Sequence, residues 1–357
     1  DRWGYELVMP PLIEYLDSLL VGTGPDLDLQ TFKLTDQLSG RLMGVRADMT
    51  PQAARIDAHQ LRRRGPARLC YLGTVLHTRP EAPGRSRNPV QLGAELFGHA
   101  GVESDVEIIA LMIEVLETAG LPSPHLDVGH VGIFRALAEE AGLDAETEGH
   151  LFEALQRKAS GEIAECLAGV SDTGARQQLA ALAELNGSVE VLDHADEAFA
   201  AAGETVREAL RHLRALAAAV GRCIPSATLH FDLAELRGYR FHTGVVFAAF
   251  VPGFGQEVAR GGRYDRIGEV FGGSRPATGF SADLRTLNHL GGQTAAQRTG
   301  ILAPWGESEA LLRAIRELRA GGERVVVQLP GQTVHADELR CDRQLVEQDG
   351  TWHVVAL

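Results

Sequence analysis

From Ile133 to about Val220 the chain is rich in Ala, Leu and Glu and keeps a helical apolar period, while the segments on both sides read as strands. This block constrains the fold more than any other feature. Strands that precede it must meet strands that follow it across a long helical insertion. Strands and helices do not alternate one for one before it, which disfavours a doubly wound parallel sheet. The expectation is an α+β core: a mostly antiparallel sheet with helices against it.

Local signals fill in this frame. "GYELVMPPLIEYLDSLL" predicts a short strand, a Pro-Pro break, and a helix whose apolar face carries Leu12, Leu16, Leu19 and Leu20. Two short strands between Phe32 and Arg46 join through Ser39-Gly40. "TPQAARIDAHQLR" starts a helix with Thr50 as N-cap and Pro51 just inside. "ARLCYLGTVLHTRP" and "VQLGAELFG" read as strands around a loop rich in Pro, Gly and Arg. "ESDVEIIALMIEVLETAGL" reads as a helix. After the insertion, turn residues between apolar runs suggest antiparallel pairing, and "ATGFSADLRTL" reads as a strand running into a helix. A linker is expected at Gly291–Gln297, separating a core of residues 1–290 from a short α/β segment, 298–357. That segment predicts one strand–helix–strand unit and a hairpin around Gln348-Asp349-Gly350.

A formal charge of −14 argues against a dedicated nucleic-acid binder, because phosphate contacts need clustered Lys and Arg. Cys70, Cys166, Cys223 and Cys341 form no CxxC pair, so the expectation is free thiols in a reducing cytoplasm, without a metal site. No stretch is long and apolar enough to cross a bilayer, and the first residues do not read as a signal peptide.

Four segments place polar groups beside glycines at strand ends. "VRADMTP" gives Arg46, Asp48 and Thr50; "VQLGAELFG" gives Gln91 and Glu95. "ELRGYRFHTG" gives Arg237, Phe241 and His242; "ARGGRYD" gives Gly261, Gly262, Arg263, Tyr264 and Asp265. Gln91, Gly93 and Glu95 have period 2 and share one sheet face. An amide and a carboxylate separated by a glycine suit a small cationic ligand lying on the sheet. A solvated sheet face is the alternative reading of the same pattern.

In this order, the four segments resemble the histidyl-tRNA synthetases, class II synthetases, over about Gly4 to Leu290. The matching family motifs are "LRPEMTP", "HQLGVEVFG", "VRGLDYYTGTVFE" and "AGGRYDGL". The resemblance implies a class II synthetase-like core and a histidine pocket. In that pocket Asp48 and Glu95 would hold an α-ammonium, with Thr50 and Gln91 adding hydrogen bonds. Arg237 would reach the carboxylate, and Tyr264 would lie near the imidazole with Gly261 and Gly262 allowing close approach.

The departures are informative. Amino-acid activation needs cations on the ATP phosphates, and arginine suits this by its fixed charge and forked donors. Leu76 and Thr78 stand where the family's "FRxERP" segment has arginine and glutamate; Thr286 stands where "GFAxGxERL" has arginine, with Arg285 one position off. Arg240 replaces an aspartate, and Phe241 and His242 replace a Tyr-Tyr pair. The tail is too short for a full anticodon-binding domain and would be a reduced version of one.

This combination resembles the regulatory subunits of ATP phosphoribosyltransferase, synthetase-like partners of the short catalytic subunit in histidine biosynthesis. The resemblance implies a chain without catalytic residues or cofactor. It implies a homodimer within a hetero-oligomer, a hetero-octamer, with histidine as allosteric effector and no membrane or nucleic-acid partner. An active synthetase or synthetase-like ligase is the alternative, with Arg79, Arg85 or Arg87 substituting for the lost cations.

Overall fold

The computed structural model describes residues 2–20, 25–80, 82, 84–239, 241–267, 275–292, 299–331, 333 and 335–357, without the side chains of Pro25 and Asp26. Arg240 and most of the expected linker lie outside the described residues. The chain divides into two compact units, Asp1–Gly291 and Gly292–Leu357.

In the first unit the strands are β1 (Glu6–Leu7), β2 (Ile13–Tyr15), β3 (Phe32–Thr35), β4 (Leu42–Val45), β5 (Ala67–Thr74), β6 (Val90–Phe97), β7 (His125–His130), β8 (Asn186–Gly187), β9 (Thr228–Asp232), β10 (Val245–Phe250), β11 (Ala259–Arg263) and β12 (Ala277–Asp283). Nine form one sheet in the order β1-β5-β6-β12-β11-β10-β7-β9-β8. The β1–β5 and β7–β9 pairs are parallel and the others antiparallel, so the α+β expectation holds. The centre of the sheet joins β6, before the insertion, to β12, after it, with Ala277 opposite Phe97 and Asp283 opposite Gln91.

Alternation sorts the two faces. Ala94, Leu96, Phe247, Ala249, Ala259, Phe280 and Ala282 belong to the same buried core as Ile108, Ile109 and Met112 of helix Val102–Thr118. Gln91, Glu95, Ala248, Arg260, Tyr264, Gly279, Ser281 and Asp283 have the opposite parity and line a cleft. Helix thus supports the sheet from behind; on the other face Met49, Ala53 and Ala54 cover Leu69, Tyr71 and Phe97, and the part beside them is open to hold a ligand.

The insertion folds as helices Val131–Glu140, Ala145–Gln156, Ser160–Leu167, Thr173–Ala181, Val191–Ala198 and Glu204–Cys223. Its apolar residues, Leu151, Leu155, Leu192 and Leu213 among them, continue the core of the sheet. It is not wholly helical: β8 interrupts it and extends the sheet edge beside β9.

Two local expectations fail. The residues after Pro10-Pro11 do not form the expected amphipathic helix. Ile13–Tyr15 is a strand paired with β4, only Leu16–Leu19 is helical, and Leu12 lies outside it, 44% exposed. The reason is long-range: Glu14 accepts a hydrogen bond from Gln52 Nε2 at 2.7 Å and pairs with Arg55, which holds this segment against helix Thr50–Arg55 in extended form. Thr50 is not an N-cap but the first residue of helix Thr50–Arg55; Asp48 Oδ1 accepts from its N–H at 3.0 Å and takes over the capping role.

The second unit contains β13 (Gly300–Ala303), helix Glu309–Ala320, β14 (Val325–Val327), β15 (Cys341–Gln348) and β16 (Thr351–Ala356), with sheet order β14-β13-β15-β16. Asp349 and Gly350 both have positive φ, 49° and 76°, which gives the β15–β16 hairpin the turn geometry that matches strand twist. Ile301, Val325 and Leu345 pack against Leu311 and Ile315 of the helix.

Candidate ligand cleft

The cleft on the free sheet face has a volume of about 680 Å³. Asp48, Thr50, Gln91, Glu95, Arg237 and Tyr264 all line it, together with Phe241 and His242.

Two hydrogen-bonded groups stand on its floor. In the first, Gln91 Nε2 donates to Asp48 Oδ1 at 2.7 Å, and Met49 N–H donates to Gln91 Oε1 at 2.9 Å. The Gln91 amide is oriented by both contacts, and the partly accessible Asp48 carboxylate lines the cleft with a fixed hydrogen-bond pattern. In the second group, Tyr71 OH donates to Glu95 Oε1 at 2.8 Å and shares a 3.0 Å contact with Thr50 Oγ1. Tyr264 OH donates to the other Glu95 oxygen. Glu95 is 1% exposed, and burial pushes its carboxyl up to about 8 even though both tyrosine hydroxyls favour the charged form. Burial beside Glu95 raises both tyrosines well above their ordinary value.

Glycines make this arrangement possible. Gly279 lies directly across from Glu95, and a Cβ there would fall 1.6 Å from Glu95 Oε2. Gly93 lies across from Tyr71, and its Cβ would fall 2.5 Å from the tyrosine hydroxyl. Phe241 stacks on Tyr264 with centroids 4.9 Å apart, and His242 completes an aromatic wall. Packing around His242 depresses its imidazole to about 4.

Arg237 is already engaged. Its guanidinium meets Glu235 Oε2 at 3.1 Å and Glu257 Oε2 at 3.2 Å. Arg85 also reaches Glu257, at 3.4 Å to its Oε1 and through a hydrogen bond to its carbonyl, and Arg260 lies 3.5 Å from the same oxygen.

Strand alternation separates residues that adjoin in sequence. Arg263 leaves the cleft for the opposite side, where it binds Asp105 Oδ1 at 3.0 Å and Ser104 Oγ at 2.9 Å; Asp105 also meets His212 Nε2 at 3.0 Å. Gly261 lines the cleft, and a Cβ there would also strike Gly279 O at 2.2 Å and Phe247 at 2.6 Å. Only Gly262 of the pair lies against His242. Arg46 is structural, donating to the carbonyls of Thr74 and Pro10 at 2.9 and 2.6 Å.

Neither Leu76, Thr286 nor Arg285 lines the cleft. Asp283 does: it accepts from Val90 N and Arg285 N at 3.0 and 3.1 Å and from Thr286 Oγ1 at 2.9 Å. Asp283 thus stands directly across from Gln91 with both carboxylate oxygens engaged. Tyr71, Glu235, Glu257 and Asp283 escaped the sequence reading. Only Asp283 carried a usable signal, as an Asp immediately before a helix.

Among the described residues no helix is long and apolar enough to cross a membrane. The histidyl-tRNA synthetase family model matches residues 1–287, and that of the ATP phosphoribosyltransferase subunit HisZ C-terminal domain matches 298–355. The ATP phosphoribosyltransferase regulatory subunit of Alkalilimnicola ehrlichii is 65% identical over 98% of this chain and 88% of its own length. Its namesake from Thioalkalivibrio sulfidiphilus is 59% identical over 100% and 91%. A solved Bacillus halodurans structure, described as an ATP phosphoribosyltransferase regulatory subunit/histidyl-tRNA synthetase, superposes with a TM-score of 0.82 at 29% identity, covering 95% of this chain and 87% of that one. Histidyl-tRNA synthetase from Nostoc, 17% identical with a TM-score of 0.76 over 99% of this chain and 90% of that one, shares the fold. A synthetase-like core joined to a HisZ-type tail, in relatives matched almost end to end, places this chain in the family of ATP phosphoribosyltransferase regulatory subunits.

Proposed function

We propose that this chain is a non-catalytic subunit that assembles with a short-form ATP phosphoribosyltransferase and makes it responsive to free histidine through the cleft. One observation carries the reading: the cleft keeps the amino-acid-binding groups, while Leu76, Arg285 and Thr286, at the positions where the resemblance expects the phosphate-binding residues, lie outside it. The arginines that do line it, Arg85, Arg237 and Arg260, are all drawn to Glu257, so the groups that would hold an amino acid have no committed phosphate cation beside them.

In this reading the α-ammonium sits at Asp48, Thr50 and Gln91, and Arg237 meets the carboxylate. Glu95 departs from the role expected for it. It lies beneath two tyrosine hydroxyls, where a flat imidazole N–H is easier to admit than a hydrated ammonium. Histidine then shifts activity by binding one state of the assembly better than another, and a coupling of ~1–3 kcal/mol would change affinity roughly five- to 150-fold.

The chain also pairs with itself through the exposed apolar band of Leu7, Met9, Leu12, Ile13 and Leu72. Light scattering at micromolar concentration should give a dimer mass, and a monomer would remove this element. The central test is co-purification with a short-form phosphoribosyltransferase, followed by activity assays with and without histidine. Absence of a complex, or inhibition unchanged by Asp48→Ala and Arg237→Ala, would refute the proposal.

A further inference from the structure

We infer that Glu257 is a specificity-determining residue, a built-in competitor for the carboxylate of an amino-acid ligand. This rests on the reading that the cleft receives free histidine.

Arg237 is the cation expected to meet that carboxylate, yet it carries two carboxylates of its own. The two are not equivalent. Glu235 adjoins Arg237 in the chain, is 8% exposed, and also accepts from the Arg237 backbone N–H at 3.0 Å. It is a fixed partner. Glu257, two residues before β11, is the second partner, and its other oxygen already faces Arg85 at 3.4 Å and Arg260 at 3.5 Å. Three guanidinium groups therefore surround one carboxylate. If Glu257 releases Arg237 it keeps two cationic partners, so the exchange leaves no charge stranded. An incoming carboxylate can then take the vacated Arg237 NH1 while Glu235 holds NH2.

The surroundings sharpen the selection. Asp48, Glu95, Glu153, Glu235, Glu257 and Asp283 all line the same cleft, against Arg85, Arg237 and Arg260. A ligand carboxylate enters an acid-rich site and must displace Glu257; a ligand with the same amine and imidazole but an alcohol in place of the carboxylate need not. Glu257 thus lowers the advantage of histidine over its uncharged-tail analogue, and holds histidine affinity down to a range where its binding can be reversed.

Calorimetric titration of the full chain with L-histidine and with L-histidinol tests this, on the wild type, Glu257→Gln and Glu257→Asp. Glutamine removes the competing charge; aspartate keeps it but shortens its reach toward Arg237. Both variants should bind histidine tighter, by up to about fivefold, the range of a partly exposed ion pair. Histidinol affinity should be unchanged within about twofold. Histidine binding that is equal or weaker in both variants, with the wild type binding it, overturns the role of Glu257 and leaves the pocket reading intact. Equal tightening for both ligands also overturns it. Failure of all three proteins to bind histidine overturns the pocket reading, and this inference with it.

Discussion

Gly279→Ala is the perturbation whose effect follows most directly from the coordinates. The new methyl would stand 1.6 Å from Glu95 Oε2, 2.5 Å from its Cδ and 2.7 Å from Ala94 O. Ordinary carbon contact is ~3.5 Å, so the carboxyl must retreat by roughly 2 Å. Tyr71 and Tyr264 hold it from two directions, and at least one of those hydrogen bonds must break. A buried polar group left without its partner costs ~1–3 kcal/mol and overpacking another ~1–3 kcal/mol, so the expected loss is about 2–6 kcal/mol. Urea unfolding of a two-by-two cycle with Glu95→Ala isolates the cause. With the carboxyl gone, only the Ala94 contact remains, and Gly279→Ala should then cost at least ~2 kcal/mol less than in the wild type. An equal cost in both backgrounds would show that Gly279 is not there to accommodate Glu95.

The pH dependence of stability should carry the mark of the same carboxyl. Glu95 binds its proton more tightly folded than unfolded, so its contribution is present below the ordinary carboxylate value of 4.5 and is lost as pH rises toward about 8; Glu95→Gln should flatten that part of the urea-midpoint profile. His130 acts with the opposite sign: burial depresses it to about 3, so stability falls as pH drops below 6.5, and His130→Gln should remove that slope. Asp105→Ala should cost about 1–3 kcal/mol, because buried Arg263 loses its fully buried partner and keeps only Asp265 and neutral acceptors; no measurable loss by chemical denaturation would contradict this. Histidine-dependent pyrophosphate exchange should stay at background, and measurable exchange would mean that another cation serves the phosphates.

The sheet was legible because strand periodicity and turn residues are local. β5, β6 and β10–β12 follow from alternation, and the common face of Gln91 and Glu95 follows from period 2. The segment after Pro10-Pro11 was misread because Leu12, Leu16, Leu19 and Leu20 fit a helical period, while its conformation follows from pairing with β4 and from partners about forty residues away. In the cleft, polar residues at strand ends were recognisable, but not their mutual contacts. Tyr71 carried no local signal, and only the β5–β6 pairing sets it across from Gly93 and within reach of Glu95. Arg237 illustrates the same limit. The resemblance assigned it to a ligand carboxylate, and only the fold brings Glu257 to it.

The β6–β12 pairing also sets the timing of synthesis. The partners Phe97 and Ala277 are separated by roughly 180 residues, so at ~5–20 residues per second the ribosome needs on the order of ten seconds or more to supply the second. Throughout that interval β6 presents an open hydrogen-bonding edge, with Glu95 still lacking both Gly279 and Tyr264. Helices of the insertion emerge meanwhile and can fold on local contacts. A nascent chain stalled before Ala277 would therefore hold a finished helical bundle beside an unsealed half-sheet, the form of this polypeptide most in need of a chaperone.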